Sequence, residues 1–486
     1  MRIFILILVG LLLLNTTAAL ITVFRKPRSI SSVLAWIMTL IFLPGIGFII
    51  YLFCGRGIDG QKVFQLTDYD NEKIAEIKKI VDKDNLKADS GLNINLLTDA
   101  RVLNRYFRNM DSSPLSKRNS IQLYTDGKEK FEALFDDIRK AKETVHVEYY
   151  SFFNDKIGNT FLDLLEEKVK EGIEVYLIYD PWGSPGADKK FFASFVAAGG
   201  NVAPFITSKN MISKTRLNYH LHRKIVVIDG KIGWTGGFNV GDQYLGESKK
   251  FGYWRDTHIR IVGSSVFSLQ EIFIMDWNAS VADKTKKMDY LDKYFQLSAA
   301  DQLEDLSLQI VSDGPDSEEE ILKSGFIKMI LAAEKSVWIQ TPYLIPDDSM
   351  INALLIAVRS GIDVRIMIPC MPDHPFIYRA TQYYANYLHK RGIKIYLYQN
   401  GFLHAKTMII DNEICMVGTT NQDIRSYALN FEVSTFIYDT KFSWKLTQIF
   451  KEDIEQSLLL TDEMIREQSH WLRFKQNFSR LLSPIL

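Results

Sequence analysis

The chain writes one pattern twice, and that repetition limits the folds open to it. Residues 218–242 read NYHLHRKIVVIDGKIGWTGGFNVGD, and residues 401–425 read GFLHAKTMIIDNEICMVGTTNQDIR. In each, a His is followed two residues on by a Lys: His222 and Lys224, then His404 and Lys406. An Asp follows five residues after the Lys (Asp229, Asp411), and a Gly and an Asn come seven and ten residues after the Asp (Asn239, Asn421). With 8 His in the chain, a random match to the His-Lys-Asp spacing is expected only about 0.03 times per chain. Two matches sharing the later Gly and Asn mark a duplicated unit.

The surrounding elements repeat in the same order. IQLYTDGKEKFEALFDDIRKAKETVHVEYYSFF and LSLQIVSDGPDSEEEILKSGFIKMILAAEKSVWIQTPYLI each read as strand, turn, helix and strand. KEGIEVYLIYDP then matches RSGIDVRIMIPC, and AAGGNVAPF matches KRGIKIYLY. The offset between halves drifts from 192 residues (Thr144 to Ser336) to 182 (His222 to His404), as unequal loops would cause. Strands alternating with helices imply an α/β fold with a mixed or parallel sheet. The expected architecture is two duplicated α/β halves packed about a pseudo-two-fold axis, at residues 119–300 and 301–486. A polar helical connector covers 55–118.

Residues 1–54 read differently. Ile3–Phe24 and Val33–Phe53 are uncharged and apolar on all sides, each near the roughly 20 residues a bilayer-crossing helix needs. They are expected to form two transmembrane helices, with Trp36 and Tyr51 near the ends of the second. A cleaved signal peptide is the competing reading of the first run. The flanking charges nearly tie: Arg25, Lys26 and Arg28 lie in the link, against Arg2, Arg56 and Lys62 outside it. Two isolated cysteines, Cys370 and Cys415, favour a reducing compartment, hence a catalytic body in the cytoplasm of a plasma-membrane protein. At the other end, HWLRFKQNFSRLLSPIL has no acidic residue and spaces Trp471, Phe474, Phe478 and Leu481 as one helical stripe. That is the pattern of a basic interfacial helix, the alternative being a helix packed on the body.

The repeated residues suit a phosphodiester. Side chains two apart on a strand share a face, so each His is expected to project beside its Lys. Ammonium groups bind phosphoryl oxygens as point charges, and Asn239 and Asn421 can donate amide hydrogen bonds to them. A neutral His can attack phosphorus, and a protonated one can protonate the leaving alkoxide. Such a His wants a carboxylate on its other nitrogen; Asp256 in YWRDTHIRI is expected to serve His222, and Glu432 in LNFEVSTFI to serve His404. Asp229 and Asp411 precede turn residues, which favours a backbone-capping role. His220, two residues before His222, is expected to act as a neighbouring cation that keeps His222 neutral, making His222 the nucleophile and His404 the acid. The cations come from Lys, and the three Cys lack zinc-site spacing, so no metal or other cofactor is expected.

These motifs resemble the phospholipase D superfamily, and within it the bacterial cardiolipin synthases. The likeness extends over VEYYSFFND, YDPWGS, HRKIVVIDGKIGWTGGFNVGDQYLG, YWRDTHIRI, PYLIPD, MPDH, GFLHAK and NQDIRSYALNFE. It implies a phosphatidyltransferase that joins two phosphatidylglycerol molecules through a phosphohistidine and releases glycerol. It implies a catalytic set of His222, Lys224, Asp229, His404, Lys406 and Asp411, supported by Asn239, Asp256, Asn421 and Glu432. The partners implied are phosphatidylglycerol and the bilayer. GTTNQD departs from the family by placing two Thr where a small pair such as Ser-Ala is expected before Asn421. A hydrolytic phospholipase D differs only in its acceptor. A nuclease is disfavoured by the two apolar runs and by 58 basic against 58 acidic residues. A non-catalytic scaffold leaves two intact His-Lys pairs unexplained.

Overall fold

The computed structural model describes residues 97–481 with few gaps, the longest at 206–218, and parts of 1–96, chiefly 30–43, 46–51 and 66–87. Among the described residues no helix is long and apolar enough to cross a membrane. The expected span Ile3–Phe24 lies largely outside the described residues. The second run is described as two helices, α1 (Ile30–Phe42) and α2 (Ile46–Ile50). The rings of Trp36 and Tyr51 lie 5.3 Å apart, whereas one continuous helix would separate them by roughly 22 Å. The expectation of a single helix over Val33–Phe53 is therefore corrected: this run folds back, and Pro44, which lacks an N–H, stands in the sequence between the pieces.

The connector is part of the body. Helix α3 (Asp68–Asn85) starts on a capping box between Thr67 and Asp70 and buries Ile74, Ile77 and Val81 against Phe267 and Phe273 of the first half. Helix α4 (Leu97–Met110) packs Leu103 and Phe107 into the second half, where the Phe107 ring lies 4.4 Å from that of Phe436.

Each half carries a mixed sheet of the same order, extended in the second half by one further edge strand. In the first, the strands are β1 (Asn119–Tyr124), β2 (Thr144–Tyr149), β3 (Glu174–Tyr179), β4 (Asn201–Pro204), β5 (Lys224–Ile228), β6 (Ile232–Gly236) and β7 (His258–Gly263), ordered β1-β7-β6-β5-β2-β3-β4. In the second they are β8 (Ser307–Asp313), β9 (Ser336–Gln340), β10 (Asp363–Pro369), β11 (Lys394–Tyr398), β12 (Thr407–Ile410), β13 (Ile414–Gly418), β14 (Asn430–Tyr438) and β15 (Ser457–Leu459), ordered β8-β14-β13-β12-β9-β10-β11-β15. In both, the strand after the first helix pairs in parallel with the next strand and antiparallel with the His-Lys strand.

Both faces of these sheets are covered, which is why their strands read as unbroken apolar runs. Val226 and Ile228 of β5 pack outward under helices α5 (Gly127–Arg139) and α6 (Lys156–Lys170). Ile225 and Val227 pack inward, in one core with Ile409, Val417, Val433 and Ile437 of the second half. The two sheets thus meet face to face, and alternate residues of one strand serve two cores.

The halves also exchange short strands. His220–Leu221 of the first pairs in parallel with Asn430–Phe431 of the second, and Phe402–Leu403 of the second pairs in parallel with Trp254–Arg255 of the first. Each borrowed strand ends at a motif His.

Candidate active site

The exchange decides which carboxylate each His meets. His222 donates its backbone N–H to Phe431 at 2.9 Å, and His404 donates to Arg255 at 2.7 Å. The next residue in the receiving strand is Glu432 in one case and Asp256 in the other. His222 Nδ1 lies 2.8 Å from Glu432 Oε1, and His404 Nδ1 lies 2.6 Å from Asp256 Oδ2. The expected pairing within each half is corrected to a pairing between halves: the His is carried across by the borrowed strand. Both imidazoles thereby commit Nδ1 to a buried carboxylate and leave Nε2 for chemistry.

The strand argument for His and Lys is also corrected. The chain leaves regular pairing at His222–Arg223 and at His404–Ala405, so the two residues do not belong to one strand. Proximity comes instead from the lysine reaching back: Lys224 Nζ donates to the His222 carbonyl at 2.5 Å, and Lys406 Nζ donates to that of His404. Both lysines are buried.

Burial sets the electrostatics. It pushes the His222 and His404 imidazoles down to about 4, assisted by Lys224 and Lys406 on both rings. It brings Lys224 down to about 7 and Lys406 to about 8, against the pull of Glu432 and Asp256. Burial pushes the two carboxyls up, but the charges of their His and Lys neighbours outweigh it and hold both below the usual range. Each motif His is carried onto the other half by its borrowed strand, and each lysine acts on the imidazole of the other half as well as its own, so the four groups converge along the seam between the halves, the cleft.

His220, expected beside His222 as a neighbouring cation, turns to a carboxylate of its own half. Its Nδ1 faces Asp180 Oδ2 at 3.4 Å, and the groups that depress His222 are burial and the two lysines. The same Asp180 carboxylate accepts from Leu221 N–H at 3.0 Å and so fixes the borrowed strand.

Asp229 and Asp411 stand five residues beyond the lysines, roughly 16 Å along an extended strand. Each takes three backbone N–H groups at the start of the neighbouring strand: Asp229 from Lys142, Glu143 and Thr144, Asp411 from Glu334, Lys335 and Ser336. Each also sits at positive φ, followed by Gly230 or Asn412 at positive φ, as a type I′ hairpin demands. This is the backbone-capping role that their turn positions favour: the carboxylates are spent on backbone N–H groups.

Asn239 and Asn421 are both buried. Asn239 Oδ1 accepts from Ser151 N–H at 3.1 Å, which fixes the amide so that its Nδ2 can donate. Asn421 Oδ1 has no hydrogen-bond partner among the described residues.

Several residues of the site were missed in the sequence. Gly237 approaches Asp256 so closely that an added Cβ would lie 1.9 Å from Oδ1. At the matching position the second half has Thr419, whose hydroxyl donates to Glu432 Oε2 at 2.5 Å. The first Thr of GTTNQD thereby has a role: its hydroxyl serves the carboxylate where the other half brings the carboxylate against a bare glycine. Two buried guanidinium groups pin the carboxylate strands. Arg223 pairs with Asp276 and donates to the Glu432 carbonyl at 3.2 Å. Arg255 grips Asp453 at 3.0 and 2.8 Å and donates to the Asp256 carbonyl. The signal was present, since an Arg inside a buried apolar run needs a partner. The cleft walls differ: Tyr150 lies 5.2 Å from the His222 ring and Trp254 lies 5.1 Å from that of His404. Among the described residues no group of three or more His, Cys, Asp or Glu is placed to hold a metal ion.

Comparison with known proteins follows the same lines. The family model described as cardiolipin synthase, PLD-like domain, matches residues 134–277 and 326–454, and that described as phospholipase D-nuclease N-terminal matches 14–56. The chain is 47% identical to a cardiolipin synthase of Listeria innocua serovar 6a across 99% of both chains. It is 44% identical to one of Staphylococcus aureus strain Mu50, across 99% of this chain and 96% of that one. Among solved structures, the phosphatidylserine synthase of Haemophilus influenzae Rd KW20 matches 79% of this chain with a TM-score of 0.60 at 16% identity. At that identity the likeness speaks to the fold.

Proposed function

The chain belongs to the cardiolipin synthase family of phospholipase D-like proteins, and on that premise we propose that it transfers a phosphatidyl group from one phosphatidylglycerol to another at a bilayer, making cardiolipin and glycerol. The observation that carries this reading is the pair of imidazoles, each backed by a carboxylate of the opposite half and flanked by a buried lysine. In this reading one phosphodiester lies between them with a His on each side.

In the first step the Nε2 of one neutral His attacks phosphorus. The bond from phosphorus to the glycerol oxygen breaks, and the second His gives that oxygen its proton. Glycerol leaves, and the phosphatidyl group stays on the first ring. In the second step the same second His, now neutral, takes the proton of a glycerol hydroxyl on another phosphatidylglycerol. That oxygen attacks phosphorus, the phosphorus–nitrogen bond breaks, and both imidazoles return to their starting state. Lys224, Lys406 and the Asn239 amide answer the charge on the phosphoryl oxygens.

Burial alone leaves both rings neutral near pH 7. The phosphodiester anion raises the pKa of the ring that must carry the proton. We assign that role to His404, because Asp256 serves one further donor, the Thr257 N–H, whereas Glu432 also serves both Thr419 and Asn430. His222 is then the nucleophile. We place the catalytic body in the cytoplasm, where Cys370 and the buried Cys415 remain free thiols.

The test is the full chain with phosphatidylglycerol vesicles and identification of the products. Cardiolipin with one glycerol for each cardiolipin is expected. Phosphatidic acid with glycerol would make water the acceptor.

A further inference from the structure

After α7 (Val266–Ser280), α8 (Ile321–Ala332), α9 (Asp348–Arg359), α10 (Pro375–His389) and α11 (Thr440–Glu455) comes α12 (His470–Leu481), which is amphipathic with the usual sides reversed. It lies against α10 (Pro375–His389). Its buried residues are Gln476 and Ser479, and Gln476 shares the Asn386 amide with Gln468. On the opposite side Trp471 is 65%, Phe474 57%, Phe478 46% and Leu481 71% exposed. The three rings stack on one another at 5.4 and 6.3 Å. The helix is held by its polar side, so its apolar stripe is left over after folding is complete.

The helix it rests on begins at the cleft. Just before α10, Asp373 accepts from Tyr343 and acts on Lys406, and Phe376 in its first turn is 55% exposed. The corresponding loop of the first half, after β3, carries Trp182, 64% exposed. That loop is tied to the borrowed strand through Asp180, which accepts from Trp182 N–H at 2.8 Å and from Leu221 N–H at 3.0 Å. Exposed rings therefore stand on both loops that lead to the site, and α12 runs antiparallel along the helix that Phe376 begins, its last turn nearest to that end.

The geometry points to a membrane-docking surface formed by Trp182, Phe376 and the outer stripe of α12, which seats the cleft mouth on an anionic phospholipid bilayer. The occupant follows from charge and chemistry. No acidic residue occurs from His470 to Leu486, and the Lys475 ammonium lies 5.8 Å from the centre of the exposed Trp471 ring, while Arg473 caps the preceding helix and Arg480 lies over Tyr383 of α10. Aromatic rings beside cationic groups match the headgroup region of an anionic leaflet. The inference rests on the reading that the substrate is a phospholipid. It adds that the mouth is applied to the leaflet, so that a lipid enters the cleft without crossing water.

The full chain is reconstituted in vesicles of phosphatidylcholine and phosphatidylglycerol with brominated acyl chains, and tryptophan quenching is compared among the parent, Trp182→Phe, Trp471→Phe and Trp444→Phe. The quenchable emission is expected to fall in the first two variants and to be unchanged in the third, whose ring is exposed on another helix, α11 (Thr440–Glu455). Unchanged quenching in Trp182→Phe and Trp471→Phe, whether these rings face water or a second copy of the chain, overturns the proposal. The variant with Phe474→Ser and Phe478→Ser is then assayed on vesicles and on a short-chain phosphatidylglycerol dissolved as monomers. Its vesicle rate is expected to fall about tenfold, with the monomer rate at the parent value. Equal losses on both substrates would mark the stripe as structural and overturn the proposal. A parent that docks by quenching but transfers no phosphatidyl group would instead sink the proposed function and leave the docking surface standing.

Discussion

Nδ1 of His222 lies 2.8 Å from Oε1 of Glu432, a residue of the other half. His404 and Asp256 make the reciprocal contact. On the proposed reading each catalytic unit is therefore assembled from both halves. Glu432→Gln is expected to disable His222, and Asp256→Asn to disable His404, each lowering turnover by about 10²–10⁴-fold with folding retained. Both substitutions are close to isosteric, and the kinetic readout is kcat with circular dichroism as the folding control. A Glu432→Gln enzyme with parental kcat would remove the carboxylate from the account.

Thr419 makes a smaller version of the same test. Its hydroxyl holds the Glu432 oxygen, at about 1.5–3 kcal/mol for a hydrogen bond to a charged group. Thr419→Val is expected to lower kcat roughly tenfold or more and to move the acid limb of the pH–rate profile. Thr419→Ser should recover most of the rate. Equal loss in both would point to packing.

The lysines give a pH prediction of definite sign. Burial lowers Lys224 to about 7 and Lys406 to about 8, so the empty cleft loses cationic charge as pH rises through that range. A bound phosphodiester favours the charged form. Above pH 7, binding should thus take up protons, and kcat/KM should fall with pH. Folding stability moves oppositely. Above pH 7 the unfolded chain, with lysine at its ordinary value near 10.5, binds more protons than the folded one, so this contribution to stability rises with pH. Binding enthalpies in buffers of different ionisation heat would detect the uptake. No uptake at pH 8 would mean the lysines stay charged in the empty cleft.

Asp229 and Asp411 are expected to report on stability alone. Each carboxylate satisfies three backbone N–H groups, and its removal should cost about 2–4 kcal/mol. Asp229→Ala and Asp411→Ala should lower Tm while the kcat of the folded fraction stays within a few-fold of the parent. A thousandfold drop in kcat at unchanged Tm would return these residues to the chemistry.

Much of this was legible in the chain. The doubled spacing identified the duplicated unit, the two His-Lys pairs and both carboxylates, because a repeat makes each reading check the other. The crossed pairing was not legible. It depends on two-residue strands at His220–Leu221 and Phe402–Leu403 that pair with the opposite half, and two residues carry no periodicity. Arg223 and Arg255 were passed over for a related reason: their partners Asp276 and Asp453 lie on helices 53 and 198 residues away. The tail was half legible. Its apolar stripe was visible, but that its polar side is the one packed follows only from the contacts of Gln476 and Ser479.

The central claim is a double displacement through a phosphohistidine, and a single-turnover trap tests it most directly. The enzyme is mixed with phosphatidylglycerol labelled at phosphorus, denatured within milliseconds in alkaline detergent where phosphohistidine survives, and digested for peptide mapping. The account predicts transient label on the peptide containing His222, formed as glycerol is released and lost as cardiolipin appears. Cardiolipin forming at its full rate with no label on either His peptide would contradict it.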